Sequence, residues 1–159
     1  RSIENGLDSL VASKVQVIWQ TGRYYYNEAS KHLKAYRGIP IWCSDFITRM
    51  DYAYSAADLV ISRAGAGSIS ELCLLGKPVI LVPSPNVAED HQTKNAMALV
   101  DHGAAIMIPD AEAEKRLVKE ALEIVNDEER LKTLSEHISS LAQPHSADRI
   151  VDEIIKIIG

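Results

Sequence analysis

Short apolar runs alternate along the chain with longer segments in which apolar residues recur every three or four positions. The apolar runs are rich in β-branched residues and predict five strands covered on both faces, at 15–19, 39–43, 59–62, 78–82 and 104–108. The amphipathic segments predict helices at 2–11, 24–35, 46–56, 68–75, 91–101, 111–125, 128–142 and 147–158. This alternation is typical of an α/β fold, a Rossmann-like parallel sheet flanked by helices, and predicts one domain over residues 1–159.

Turn residues support these boundaries. Gly76 and Gly103 each follow a helical segment and precede a strand, where a left-handed residue ends a helix. Pro109 and Pro144 stand just before helical segments, where proline favours a helix start.

Composition narrows the class of protein. Of 159 residues, 47% are hydrophobic and 25% are charged, which is ordinary for a globular protein. The net charge of -5 argues against a nucleic-acid partner. Cys43 and Cys73 lie in apolar stretches and are expected to be buried, reduced thiols. We expect a cytoplasmic protein, since the sequence has no apolar run long enough to span a bilayer and its first residues do not resemble a signal peptide.

The densest functional signal is the segment 62–71, Ser-Arg-Ala-Gly-Ala-Gly-Ser-Ile-Ser-Glu. A strand runs into a loop of small residues, and the loop opens a helix. Gly65 and Gly67 are expected to permit positive φ and close approach of a ligand, and the amides of a helix start favour a phosphate. The spacing matches neither the dinucleotide fingerprint nor the Walker loop, which argues against nicotinamide and ATP.

A simpler interpretation of the same segment stays open. Ser68 and Glu71 have the S-x-x-E spacing of a capping box, which only starts a helix. Alternatively, the Glu71 carboxylate binds ribose hydroxyls, as acidic residues do in other nucleotide-binding folds. One carboxylate in one rotamer cannot do both, and the sequence does not choose.

A second polar cluster occupies 83–86 and 89–95, again after a predicted strand. His91 and Asn95 share a helix face, with Gln92 beside them, and such groups hydrogen-bond sugar hydroxyls well. The alternative is a polar cap followed by a solvated helix. The sequence has no Asp-x-Asp pair and no recognised metal-ligand spacing, so we expect no metal and no cofactor.

Three segments in this order, 62–71, 76–83 and 89–96, resemble the MurG family of bacterial peptidoglycan N-acetylglucosaminyltransferases over essentially the whole chain. The resemblance implies one half of a GT-B glycosyltransferase, the C-terminal domain that binds UDP-N-acetylglucosamine. It implies an inverting enzyme that transfers N-acetylglucosamine to the undecaprenyl-pyrophosphoryl-muramoyl-pentapeptide acceptor. It also implies a peripheral location at the inner face of the plasma membrane, with membrane contact made by the full-length protein.

The family also implies roles for individual residues. The Ile47 backbone would meet the uracil, Glu71 the ribose and Gln92 the N-acetylglucosamine. The remaining substrate-binding residues implied are Arg63, Gly65, Ala66, Gly67, Ser68, Ile69, Ser70, His91 and Asn95. Members of the family often carry Thr at position 68 and, in some cases, Gln at position 91, where this chain has Ser68 and His91.

The family further implies a Gly-Gly-Ser phosphate loop just before Arg1 and an N-terminal acceptor domain that carries the general base. We therefore expect a C-terminal fragment with no catalytic residue of its own. Alternatives are the donor half of another GT-B enzyme, namely a split chitobiose-lipid synthase or a UDP-N-acetylglucosamine 2-epimerase, and a non-catalytic nucleotide-binding module.

Overall fold

The computed structural model describes residues 1–36, 38, 40–86 and 90–158. Its strands are β1 Val17–Gln20, β2 Ile41–Ser44, β3 Val60–Ser62, β4 Val79–Leu81 and β5 Ile106–Met107. All described pairs are parallel, in two sets: β1 with β2, and β3-β4-β5 with β4 in the middle. The five predicted strands are confirmed, each within two residues of its predicted ends, although residue 39 lies outside the described residues.

The helices are α1 Ser2–Asn5, α2 Leu7–Ala12, α3 Arg23–Leu33, α4 Met50–Ala56, α5 Ala66–Leu75, α6 His91–Val100, α7 Asp110–Val125, α8 Glu128–Ser140 and α9 Ser146–Ile158. Every predicted helix is present. The first is broken in two, α4 begins four residues late, α5 begins two residues early, and α3 and α8 each end two residues early. The other helices agree with the prediction within one residue at each end.

The break in the first helix falls at Gly6. A Cβ at this position would overlap the Val118 side chain of α7. The glycine therefore lets the α1–α2 pair approach α7 closely. The apolar stripe predicted for 2–11 is confirmed, since Leu7 and Leu10 are both buried. The helix is nevertheless interrupted at Gly6, whose φ of -100° and ψ of 5° are not helical.

The late start of α4 has a local cause. Ser44 Oγ donates to the Phe46 carbonyl at 2.9 Å, and the Phe46 amide donates to Asp45 Oδ1 at 2.9 Å. Side chains that bond nearby backbone compete with helix formation. Residues 46–49 consequently form a loop, although the apolar pattern predicted a helix there.

The core lies around β4, whose three residues are all buried. The other strands are less covered, because Ile18, Trp42 and Ile61 are exposed. The prediction of strands covered on both faces is therefore confirmed for β4 and wrong for β1, β2 and β3. Helix α9 has no buried residue in the range 146–158, so its apolar side chains do not pack on this core.

The carboxyl ends of β3 and β4 lie at one edge of the sheet, since the two strands are parallel and in register. The loop after β3 leads into α5, and the chain after β4 leads towards α6. Helix α5 ends at Gly76, a left-handed residue with φ of 62°, as its sequence predicted. Two loops and two helix starts are thereby brought to the same edge, where open parallel sheets bind ligands.

Both cysteines are free, and burial raises the pKa of the Cys43 and Cys73 thiols. Cys73 is buried as expected, whereas Cys43 is only half-buried. Within the part of the chain that the structure describes, no helix is both long and apolar enough to cross a membrane.

Candidate functional site

Helix α5 begins at the edge of the sheet, and no side chain of the described residues caps its first amides. Its N-cap is Gly65, and the Ile69 amide donates to the Gly65 carbonyl at 3.0 Å. The backbone N–H groups of residues 65–68, here called the amide cradle, precede that bond and have no intrahelical acceptor. The predicted capping box is wrong, because Ser68 lies inside the helix and does not cap it.

The two glycines of the cradle are in ordinary conformations. Gly65 has φ of -71° and Gly67 lies within α5, so the expected positive φ is wrong for both. Among the described residues, a Cβ on either glycine would meet nothing within 4 Å. Packing against those residues therefore requires neither glycine, and both leave this side of the cradle open to them.

Charge near the cradle favours an anion. The first turn of α5 contains no acidic residue, and the positive end of the helix dipole lies there. Arg63 stands just before the loop; its guanidinium donates to the Val82 and Pro83 carbonyls at 3.2 Å and pairs with Asp110. Arg63 thus joins the ends of β3 and β4 to the start of α7.

Two carboxamides of α6 hold the loop between β3 and α5. Gln92 Oε1 accepts from the Ala64 amide at 3.2 Å and from the Ser84 amide at 2.8 Å. Asn95 Nδ2 donates to the Ala64 carbonyl at 3.1 Å. The two polar segments found in the sequence therefore meet, as their positions after neighbouring strands predicted.

Ile47 lies in the loop after β2 and is buried. Its amide donates to Gln20 Oε1 at 2.8 Å, across 27 positions of the sequence. Gln20 is the last residue of β1, so this bond ties the β1 end to the loop. A ligand that required the Ile47 amide would have to displace the Gln20 side chain.

Glu71 is exposed on α5, and Tyr54 of α4 donates its hydroxyl to Glu71 Oε2 at 3.3 Å. Burial, and then the Glu71 carboxylate, raise the pKa of Tyr54. Since Glu71 does not cap α5, the helix-cap interpretation is wrong, and the ribose role stays a prediction. Ser70 Oγ donates to the Ala66 carbonyl at 3.0 Å and supports the first turn of α5.

The remaining predicted residues lie close by in the sequence but differ in exposure. The Ile69 side chain packs against the core, and its amide is already bonded to the Gly65 carbonyl. Ser68 is half-buried, whereas Ala66 and His91 are exposed. Position 89 of the second polar cluster lies outside the described residues.

Sequence reasoning missed three residues that build this edge: Gln20, Tyr54 and Asp110. Only Gln20 carried a usable signal, as a polar residue that ends an apolar strand where ligand-facing side chains occur. The others act through contacts with distant segments, which no local pattern reveals. The described residues contain no group of three or more His, Cys, Asp and Glu side chains placed to hold a metal.

Comparison with known proteins identifies the family. The profile of the glycosyltransferase family 28 C-terminal domain matches residues 2–150. A relative from Parabacteroides distasonis is 78% identical over 158 residues, and one from Porphyromonas gingivalis is 59% identical over 158 residues. Both are named UDP-N-acetylglucosamine--N-acetylmuramyl-(pentapeptide) pyrophosphoryl-undecaprenol N-acetylglucosamine transferase. Each alignment covers 99% of this chain, which spans 43% and 42% of the respective relative.

Solved structures agree with this result. Acinetobacter baumannii MurG superposes with a TM-score of 0.81 at 27% identity, covering 98% of this chain and 46% of that one. The structure of ALG13, at 24% identity and a TM-score of 0.55, covers 79% of this chain and 78% of that one, and it supports the fold alone. The predicted Rossmann-like fold of a GT-B glycosyltransferase half is confirmed, and the chain belongs to the glycosyltransferase family 28 C-terminal domain family.

Proposed function

We propose that this chain binds UDP-N-acetylglucosamine at the amide cradle, as the donor domain of a peptidoglycan N-acetylglucosaminyltransferase. The observation that carries the proposal is the uncapped start of α5 at the carboxyl edge of the sheet, with open glycines in front of it. A diphosphate there accepts from the cradle amides and lies at the positive end of the helix dipole. The names of the relatives support the identity of the sugar nucleotide.

Other residues of the edge complete the donor site in this proposal. The uracil lies against the backbone at Ile47, and the Glu71 carboxylate accepts from the ribose hydroxyls. The sugar faces the start of α6, with His91, Gln92 and Asn95. Gln92 uses its carboxamide oxygen on the loops, so its amide nitrogen is the group that would serve a sugar hydroxyl.

The reaction proposed for the whole protein is transfer with inversion. A hydroxyl of the lipid-linked muramoyl-pentapeptide attacks the anomeric carbon, the bond to the diphosphate breaks and UDP leaves. Negative charge grows on the leaving diphosphate, and preorganised amides stabilise it without reorganisation. The cradle thereby supplies electrostatic stabilisation that needs no metal. The general base belongs to the part of the protein outside residues 1–159.

The proposed partners and location follow from that acceptor. The lipid-linked substrate lies in a membrane, so we propose a peripheral enzyme at the inner face of the plasma membrane. Contact with the acceptor and the membrane is assigned to the full-length protein.

Calorimetry tests the donor site. We expect the full-length protein to bind UDP-N-acetylglucosamine more tightly than UDP-glucose or UDP-galactose, with affinity unchanged by EDTA. Amide shifts on titration should be largest at residues 65–68. A requirement for a divalent cation would contradict the role of the cradle, and equal affinity for all three sugars would favour a nucleotide-binding module.

A further inference from the structure

The backbone of Ala64 is held on both sides by side chains of one helix. Its N–H donates to Gln92 Oε1 at 3.2 Å, and its carbonyl accepts from Asn95 Nδ2 at 3.1 Å. Ala64 is 0% exposed. Buried backbone groups require partners, and here both come from α6 instead of from the sheet.

The Gln92 oxygen also accepts a second hydrogen bond, from the loop after β4. It accepts from the Ser84 amide at 2.8 Å, so one atom joins the loop after β3 to the loop after β4. Ala64 immediately precedes Gly65, the N-cap of α5. A change in the orientation of the Ala64 peptide would therefore redirect the first amides of the cradle.

We propose that Gln92 and Asn95 are positioning residues of the amide cradle, which hold the Ala64 backbone so that the cradle points at a diphosphate. This inference rests on the proposed donor function and assigns these side chains a task beyond contact with the sugar. Both carboxamides then matter for binding of UDP itself, which lacks the N-acetylglucosamine group.

The two side chains use opposite ends of the carboxamide, and this permits a matched test. Gln92 acts as an acceptor, so a carboxylate at this position still accepts from both amides. Asn95 acts as a donor, so a carboxylate there cannot bond the Ala64 carbonyl. Gln92→Glu and Asn95→Asp each add one negative charge to the same end of α6. They differ because Gln92→Glu keeps its bonds to the Ala64 and Ser84 amides, whereas Asn95→Asp loses its bond to the Ala64 carbonyl.

The experiment measures UDP and UDP-N-acetylglucosamine binding by calorimetry in the full-length protein. Asn95→Asp should weaken both ligands, and its effect on UDP, which lacks the N-acetylglucosamine group, should be about tenfold larger than that of Gln92→Glu. Asn126→Asp is the control, because Asn126 Nδ2 donates to the Leu122 carbonyl at 2.7 Å at the far end of α7; this variant should bind both ligands normally. Equal losses in the two α6 variants, or a loss confined to UDP-N-acetylglucosamine, would overturn the proposal.

A second measurement needs no ligand. Hydrogen exchange in Gln92→Ala should be at least about tenfold faster at the Ala64 and Ser84 amides, because their acceptor is gone, and unchanged in Lys94→Ala. Unchanged exchange in Gln92→Ala would overturn the positioning role whether or not UDP binds. If exchange is faster at both amides but the protein does not bind UDP, the bonds from Gln92 to the two loops are supported and the proposed function is refuted.

Discussion

At the scale of single residues, Gly67 lowers the stability of the start of α5 and leaves its surface open. Gly67 lies within the helix, where glycine costs roughly 1 kcal/mol relative to alanine. No atom of the described residues lies within 4 Å of a Cβ placed on Gly67. The methyl group of an alanine at position 67 would stabilise the helix, but it would also occupy the space through which a ligand approaches the cradle.

Gly67→Ala should therefore separate stability from binding. We expect the free energy of unfolding to rise by about 0.5–1 kcal/mol, because alanine lowers the entropic cost of the helix. UDP affinity should fall at least about tenfold, because the methyl group blocks close approach to the amides. Urea denaturation and calorimetry measure the two effects. Retained affinity would show that the ligand does not approach residue 67.

Glu71 gives a second test at this scale. Glu71→Gln should weaken UDP binding by about 1–3 kcal/mol, the range for a hydrogen bond to a charged group. Stability should hardly change, because Glu71 is exposed and does not cap α5. Glutamine also retains an oxygen that accepts from Tyr54. The control is Glu136→Gln on α8, which should affect neither quantity, and unaltered UDP affinity in Glu71→Gln would remove the ribose role.

At the scale of elements, the site is built by bonds between helices and loops that follow different strands. Tyr54 joins α4 to α5, Gln20 joins β1 to the loop after β2, and Arg63 joins β3 to α7. Each contact fixes the position of one element against another.

The Tyr54 contact predicts a dependence of stability on pH. Its pKa is raised in the folded state by burial and by Glu71, so the unfolded chain loses this proton first, near the ordinary value of about 10. Its contribution is present below that pH and is lost as the pH rises through the folded value. Tyr54→Phe should make the alkaline fall in unfolding free energy less steep. Tyr24→Phe, exposed on α3, is the control, and identical profiles for wild type and Tyr54→Phe would contradict the prediction.

At the scale of the whole molecule, burial is uneven. Residues around β4, α5 and α6 form a continuous buried cluster. Helix α9 instead presents large apolar side chains to solvent, including Ile150, Ile154 and Ile158. Its sequence pattern is as amphipathic as that of a packed helix, but the packing is not made within the described residues.

Two substitutions by alanine, one in the buried cluster and one on α9, measure this difference in packing. Leu72→Ala should cost about 2–5 kcal/mol of unfolding free energy, since Leu72 is 0% exposed and a cavity would form. Ile154→Ala should change stability by less than about 0.5 kcal/mol, since Ile154 is 51% exposed on α9. Urea denaturation of residues 1–159 compares the two. A comparable cost for Ile154→Ala would mean that α9 packs on the domain in solution.

The sequence by itself determined the order and type of the elements and the segment 62–71 as the place of chemistry. The spacing of hydrophobic residues and the positions of turn residues are local properties of the chain. The five strands, the helices and the helix end at Gly76 can therefore be predicted without a structure. The motifs sufficed to identify the family.

Only the tertiary structure decided how the edge is assembled. The bonds from Gln20 to Ile47, Gln92 to Ala64 and Asn95 to Ala64 join residues 27, 28 and 31 positions apart. The start of α5 at Ala66, the loop before α4 and the break at Gly6 were likewise misjudged. Element ends depend on which partners satisfy the last backbone groups. At the loop before α4 those partners are neighbours in the chain, Ser44 and Asp45, whereas at Ala64 they come from α6, which only folding brings close.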